Sequence, residues 1–214
     1  FNYDETTVQA VKNVSFELRK KHILGIVGES GSGKSITAKS ILGLLPDYPD
    51  HTLTGEIIFN GQSLTNLSTS ALQQIRGKDI SMIFQDPLSS LNPRLTIGKQ
   101  ITEVLFQHKR VSKSEAKSMT IDILEKVGIK HATRQFDAYP HELSGGMRQR
   151  VMIAMALILK PQILIANEPT TALDASIQNQ LLQLMKSRYE YTDTSIIFIT
   201  LDLGAVYQFC DDGI

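Results

Sequence analysis

The chain has 214 residues, enough to bury a full core in one or two domains, with 22 Lys plus Arg balancing 22 Asp plus Glu. A formal charge of zero gives no support to a nucleic-acid partner or an anionic lipid surface, and a single cysteine, Cys210, excludes a disulfide framework. The longest apolar run, Val151 to Leu159, stops at Lys160-Pro161 and is about half the roughly 20 residues a bilayer span requires. The chain begins at Phe1 and ends at Asp211-Asp212-Gly213-Ile214, which reads as a fragment trimmed at both ends.

In chain order, Val8 to Arg19 alternates loosely and predicts a strand. Ile23 to Val27 is a short apolar run, predicted as a buried strand. Next comes Gly28-Glu29-Ser30-Gly31-Ser32-Gly33-Lys34-Ser35, which fits the pattern of Gly, four residues, then Gly-Lys-Ser. Ile36 to Leu45 continues at helical spacing. A strand, glycine loop and helix in this order turn backbone N–H groups and a helix N-terminus towards one point, making an anion hole for phosphates. Gly28, Ser30, Gly31, Ser32, Gly33, Lys34, Ser35 and Ile36 are therefore the candidate nucleotide contacts. Lys34 reaches the β- and γ-phosphates, and Ser35 offers its hydroxyl to Mg²⁺.

Pro46 to Thr54 reads as loop, and Gly55 to Phe59 as a strand closed by the tight-turn pair Asn60-Gly61. Ile80 to Phe84 is a predicted buried strand, and Leu88 to Pro93 a loop. From about Thr96 to Gly128 the pattern is helical, with Ile97, Ile101, Val104 and Leu105 on one face. Ser112 to Glu115 reads as a capping box, and Gly128 as the stop. The core resumes with Gly145 to Leu159 as helix, Ile163 to Ala166 as strand, Asp174 onwards as helix and Ser195 to Thr200 as strand. Strands alternating with helices predict an α/β fold with a mostly parallel sheet, a small antiparallel section in front, and a helical insertion. We divide it into a core lobe, residues 1–87 and 143–214, and a helical subdomain, residues 88–142. His22, His51, His108 and His131 show no metal-ligand spacing, and Met147, Met152 and Met155 read as core.

Leu143-Ser144-Gly145-Gly146-Met147-Arg148-Gln149-Arg150 is a second candidate cradle, because two glycines at a helix start expose backbone N–H groups and Ser144 adds a hydroxyl. An ordinary N-cap at Ser144 accounts for the same residues. Together with the phosphate loop, this stretch resembles the signature of ABC transporter nucleotide-binding domains, and the resemblance covers nearly the whole chain. The stretch from Phe84 to Pro93, FQDPLSSLNP, is similar to the Q-loop of oligopeptide, dipeptide and nickel importers, as is Tyr139-Pro140-His141-Glu142 before the signature.

The resemblance implies a P-loop ATPase with a RecA-like core, using ATP and Mg²⁺ on the cytoplasmic face of a membrane as a peripheral subunit. Its partners would be a second ABC ATPase subunit, as homo- or heterodimer, transmembrane permease subunits and, indirectly, a solute-binding protein. Gln85 would contact Mg²⁺ and the attacking water. Ser144, Gly145 and Gly146 would complete an ATP site on the opposing subunit, and Ala172-Leu173-Asp174 would be the D-loop between sites. Tyr3 is the candidate for stacking on adenine.

Glu168 would be the general base, just beyond the strand Ile163 to Ala166. Two positions depart from the family. Asn167 stands where an aspartate holds the metal shell, and Leu201 where a histidine contacts the γ-phosphate. Two readings follow: an ATP-hydrolysing importer subunit for oligopeptides or dipeptides, or a regulatory subunit that hydrolyses poorly and lends its signature to a partner's site. Engineered or cloning-derived substitutions are a third account of these positions.

Overall fold

The computed structural model describes residues 2–3, 6–45, 52–169, 178–179, 182–183, 185–186 and 193–214, with the side chains of residues 2–7 and Leu88 outside the description. A five-stranded parallel sheet forms the centre, ordered β6-β7-β8-β3-β9. Its strands are β3 (Ile23–Val27), β6 (Ile80–Ile83), β7 (Ile163–Asn167), β8 (Ser195–Thr200) and β9 (Asp212–Gly213). Two small antiparallel pairs lie apart from it: β1 (Asn2–Tyr3) with β2 (Thr6–Thr7), and β4 (Ile58–Phe59) with β5 (Gln62–Ser63). Asn60 and Gly61 both take positive φ, 50° and 78°, which is what a two-residue hairpin turn demands.

The strands are apolar on both faces because helices cover both faces. Ile165, Ile197 and Ile199 pack with Ala38 of α1 (Lys34–Ile41) and with Leu42 and Met82. The alternate residues Leu164, Ala166, Ile196 and Phe198 pack with α7 (Gly145–Leu157), α4 (Ile97–His108) and α5 (Lys113–Lys126). Ile97, Ile101 and Leu105 are fully buried along α4, as the spacing predicts, and each such side chain removed from water contributes about 1.5–3 kcal/mol. Gly98 is required there: a Cβ would lie 2.5 Å from the Phe136 ring.

Several boundaries differ from the sequence reading. No strand forms over the described residues 8–19, although burial alternates there: Phe16 and Leu18 pack on the α1-side cluster while Glu17 and Arg19 face water. The period of two is real, but among the described residues no strand pairs with this segment, so the alternation reflects one-sided packing. Only Ile58–Phe59 of the Gly55–Phe59 run enters a ladder, and β6 stops at Ile83. The expected loop over Leu88–Pro93 opens with a short helix, α3 (Pro87–Ser90), begun by Pro87 and held by Ser89 and Ser90 on Asp86.

A helix absent from the sequence reading, α2 (Thr69–Ile75), is capped by Ser68, whose side chain accepts from the Ala71 N–H. Ser112 caps α5 through the Glu115 N–H at 3.2 Å, and Gly128 ends that helix at φ 80°. The remaining elements are α6 (Ala132–Gln135), a 3₁₀ turn at Pro140–Glu142, and α8 (Leu203–Phe209). His22 is not a plain surface residue, because its Nε2 pairs with Asp212 at 2.8 Å and holds β9 against β3. The expected loop over residues 46–51, His51, the helix from Asp174 and the Ala172-Leu173-Asp174 stretch lie wholly or partly outside the described residues.

Candidate functional site

Parallel pairing sets the C-terminal ends of four strands side by side. Val27 pairs with Thr200, Asn167 with Ile199, and Ile83 with Ala166, so the chain leaves the sheet at one edge at Gly28, Leu201, Glu168 and Phe84. Loops at this edge of a parallel sheet are where ligands bind in open α/β folds.

The phosphate loop leaves β3 and enters α1 directly. Gly31 and Gly33 take φ of 82° and 93°, a region closed to most side chains. At Gly33 a Cβ would lie 2.5 Å from the Ala10 carbonyl oxygen, so a side chain is excluded twice over. No side chain caps the first turn of α1, which leaves its N–H groups, including those of Ser35 and Ile36, turned to the loop. Lys34 is only 7% exposed, and its ammonium donates to the carbonyls of Gly28 at 2.8 Å and Glu29 at 2.7 Å, and to Ser32 Oγ at 3.4 Å. Ser30 and Ser32 are exposed.

Two contacts tie this loop's neighbourhood together. Ser35 Oγ donates to Asn167 Oδ1 at 3.1 Å, joining α1 to the end of β7. Gln85 Nε2 donates to Glu168 Oε2 at 2.8 Å, joining the segment after β6 to the acid. Ser35, Lys39, Phe84, Gln85 and Asn167 line one cleft beside these contacts. Glu168 is 7% exposed and sits at φ 48°, a left-handed backbone that costs a non-glycine residue about 1–2 kcal/mol. Its N–H donates to the Ile199 carbonyl at 2.8 Å, and the carbonyl of the next residue, Pro169, accepts from buried Gln149 Nε2 at 2.6 Å.

Leu201 follows β8 and is 45% exposed, with no polar atom to offer. Its neighbours keep their structural roles. Thr200 Oγ1 accepts from the Asp202 N–H, and Asp202 Oδ1 caps α8 through the Gly204 N–H.

The residues fit a nucleotide with Mg²⁺ carried on its phosphates. The cradle holds glycines where a Cβ would clash, and the described residues contain no group of three His, Cys, Asp or Glu able to cage a metal alone. Mg²⁺ bound through a hydroxyl, a few waters and substrate phosphates needs no such cage. Ser35 and Gln85 are the side chains that would reach it, with Asn167 behind Ser35.

The second cradle stands elsewhere. Ser144 caps α7, accepting from the Met147 N–H at 3.3 Å, and Gly145 has open space where a Cβ would be. Among the described residues no hydrogen bond joins Ser144, Gly145 or Gly146 to the phosphate loop of the same chain. Tyr3 lies in β1, and its side chain is outside the described residues. Gln149 entered the sequence reading only as part of the Leu143 to Arg150 stretch, since a glutamine between two arginines carries no sequence signal for its partner.

Known proteins resemble this chain over nearly its whole length. It is 55% identical over 204 residues to the Oligopeptide transport ATP-binding protein OppD of Bacillus subtilis, covering 95% of this chain and 57% of that protein. It is 53% identical over 205 residues to the Dipeptide transport ATP-binding protein DppD of the same organism, covering 96% and 61%. The chain thus spans about three fifths of the length of these relatives. Among solved structures, a dimeric ATP-binding cassette in a post-hydrolysis state bound to ADP and Pi superposes with TM-score 0.87 at 29% identity, covering 99% of this chain and 88% of that one. The family profile described as ABC transporter matches residues 11–171. By this match and these relatives, the chain belongs to the ABC transporter family.

Proposed function

We propose that the chain is the ATP-hydrolysing part of an importer subunit for oligopeptides or dipeptides, working as a dimer on the cytoplasmic side of a membrane permease. The observation that carries this reading is the single sheet edge where the phosphate loop, Gln85 and Glu168 meet, with Gln85 Nε2 on Glu168 Oε2. The peptide-transport names of the relatives support the substrate class. The dimeric cassette neighbour supports the paired arrangement, in which Ser144, Gly145 and Gly146 reach the partner's nucleotide. No described helix is long and apolar enough to cross a membrane, so a separate permease would supply the path. The helical stretch over residues 88–142 is the surface we assign to that permease, and a solute-binding protein would choose the peptide.

In this reading, backbone N–H groups of the loop and of Ser35 and Ile36 hold the phosphates, and Lys34 gives up loop carbonyls to neutralise the β- and γ-phosphate oxygens. Ser35 and Gln85, with Asn167 behind Ser35, would hold Mg²⁺, which would supply positive charge against the phosphates. Gln85 orients Glu168 and a water. Water attacks the γ-phosphorus as its bond to the ADP oxygen breaks, and the water proton passes to the Glu168 carboxylate. Tyr3 is assigned to the adenine.

Asn167 and Leu201 favour a second reading, because both remove charge or hydrogen bonding from the hydrolytic side of the same site and leave the binding loop intact. The protein would then bind ATP, turn it over slowly, and complete a different subunit's site through its signature. Mg-ATP turnover of the protein beside an Asn167→Asp, Leu201→His double variant separates the two. Comparable turnover in both supports the transport ATPase; binding in both with turnover only in the double variant supports the regulatory subunit.

A further inference from the structure

The left-handed backbone at Glu168 needs an anchor on its far side, and the structure provides one from an unexpected element. Gln149 lies in α7, five residues after Ser144 and therefore little more than one turn below the second cradle. It is 2% exposed, and its Nε2 donates to the Pro169 carbonyl at 2.6 Å. A buried amide is costly unless bonded, and this bond is directed at the peptide that follows Glu168. On the near side, Glu168 N–H bonds to Ile199 O at 2.8 Å. The acid is thus held between β8 and the signature helix, while Gln85 touches only its carboxylate.

We infer that Gln149 is a positioning residue for Glu168: it fixes the backbone that aims the carboxylate, and it ties that aim to the helix carrying Ser144, Gly145 and Gly146. A helix is stiff over one turn, so a shift of the cradle moves Gln149 and draws the Pro169 carbonyl with it. The state of one half-site is thereby read at the acid of the other, within one chain. The catalytic part of this inference rests on the proposed function; the backbone part does not.

The test uses Gln149→Met, which keeps length and volume but lacks the donor, in both the parent protein and the Asn167→Asp, Leu201→His background. Amide hydrogen exchange at Glu168 decides the backbone part without any turnover. The expected result is faster exchange at Glu168 in Gln149→Met, with Ile197 and Phe198 in the same strand layer unchanged. Unchanged exchange at Glu168, or a uniform rise across β7 and β8, overturns the inference.

In whichever background hydrolyses Mg-ATP, kcat should fall between about 10- and 100-fold with KM for ATP within twofold, as a small misplacement of a catalytic group does. With Glu168→Gln added, the same substitution should leave the residual rate unchanged, since the acid it positions is gone. A rate loss persisting in that background, or a matching rise in KM, overturns the inference. If neither background hydrolyses ATP, the proposed function fails, and hydrogen exchange still decides Gln149.

Discussion

Placing a carboxylate at position 167 should tighten Mg²⁺ binding at this site. Asn167 is 3% exposed, and its Oδ1 lies 3.1 Å from Ser35 Oγ. An Mg²⁺ held by the Ser35 hydroxyl at about 2.1 Å would therefore lie within about 5 Å of that oxygen. A unit charge about 5 Å from a divalent cation is worth about 1.7 kcal/mol at the dielectric of water and about 7 kcal/mol at an effective dielectric of 20.

Burying the new carboxylate offsets much of the larger figure, so the lower one sets the expectation, a shift of roughly 15- to 20-fold in the Mg²⁺ midpoint. The assay is an Mg²⁺ titration at saturating ATP, read both as turnover and as thermal stabilisation by a non-hydrolysable ATP analogue. The two readouts should shift together towards lower Mg²⁺ in Asn167→Asp. Without metal the sign reverses. Among the described residues the buried carboxylate then has the Ser35 hydroxyl as its donor, and the variant should melt below the parent in EDTA. A midpoint within twofold of the parent, with equal melting in EDTA, would refute the charge argument.

Gly33→Ala should abolish nucleotide binding and destabilise the fold by about 2 kcal/mol or more. Its Cβ meets the Ala10 carbonyl at 2.5 Å on a backbone at φ 93°, and thermal melting with a binding titration reads both effects. Cys210 should resist alkylation in the native protein at pH 8 to 9 and react on denaturation, because burial pushes its thiol up to about 12 and the thiolate is the nucleophile. The unfolded thiol ionises first, so this residue's share of stability is present below pH 9 and is lost as pH rises towards 12; chemical melts across that window follow it.

Sequence made the site's polypeptide order plain for a physical reason. A phosphate cradle works through backbone groups, and backbone groups can be presented only by a narrow choice of residues, so Gly28 to Ser35 carries its chemistry in its spelling. The same holds for α4, where Ile97, Ile101 and Leu105 mark a face that the fold fully buries. The strand predicted over Val8 to Arg19 failed for the opposite reason. Alternation records which side chains face the core, whereas a strand also needs a neighbour's backbone, and that neighbour is not encoded in the segment itself.

Gln149 belongs to this second class. In the sequence it sits between Arg148 and Arg150 at the polar start of α7, indistinguishable from a satisfied core amide. Its meaning lies in where the helix axis puts it against a loop twenty residues downstream. The consequence reaches past this one hydrogen bond. Asn167 and Leu201 are legible as departures because the family pattern names their roles, yet the two hydrogen bonds on either side of the Glu168 backbone come from other residues, the Ile199 carbonyl and the Gln149 side chain. Neither Ile199 nor Gln149 is itself one of the departing positions. A site that had lost its use altogether would be free to relax a left-handed glutamate costing about 1–2 kcal/mol. That the strained residue keeps both its anchors argues that Glu168 is still held for chemistry, and it weighs towards the hydrolysing subunit over the regulatory one.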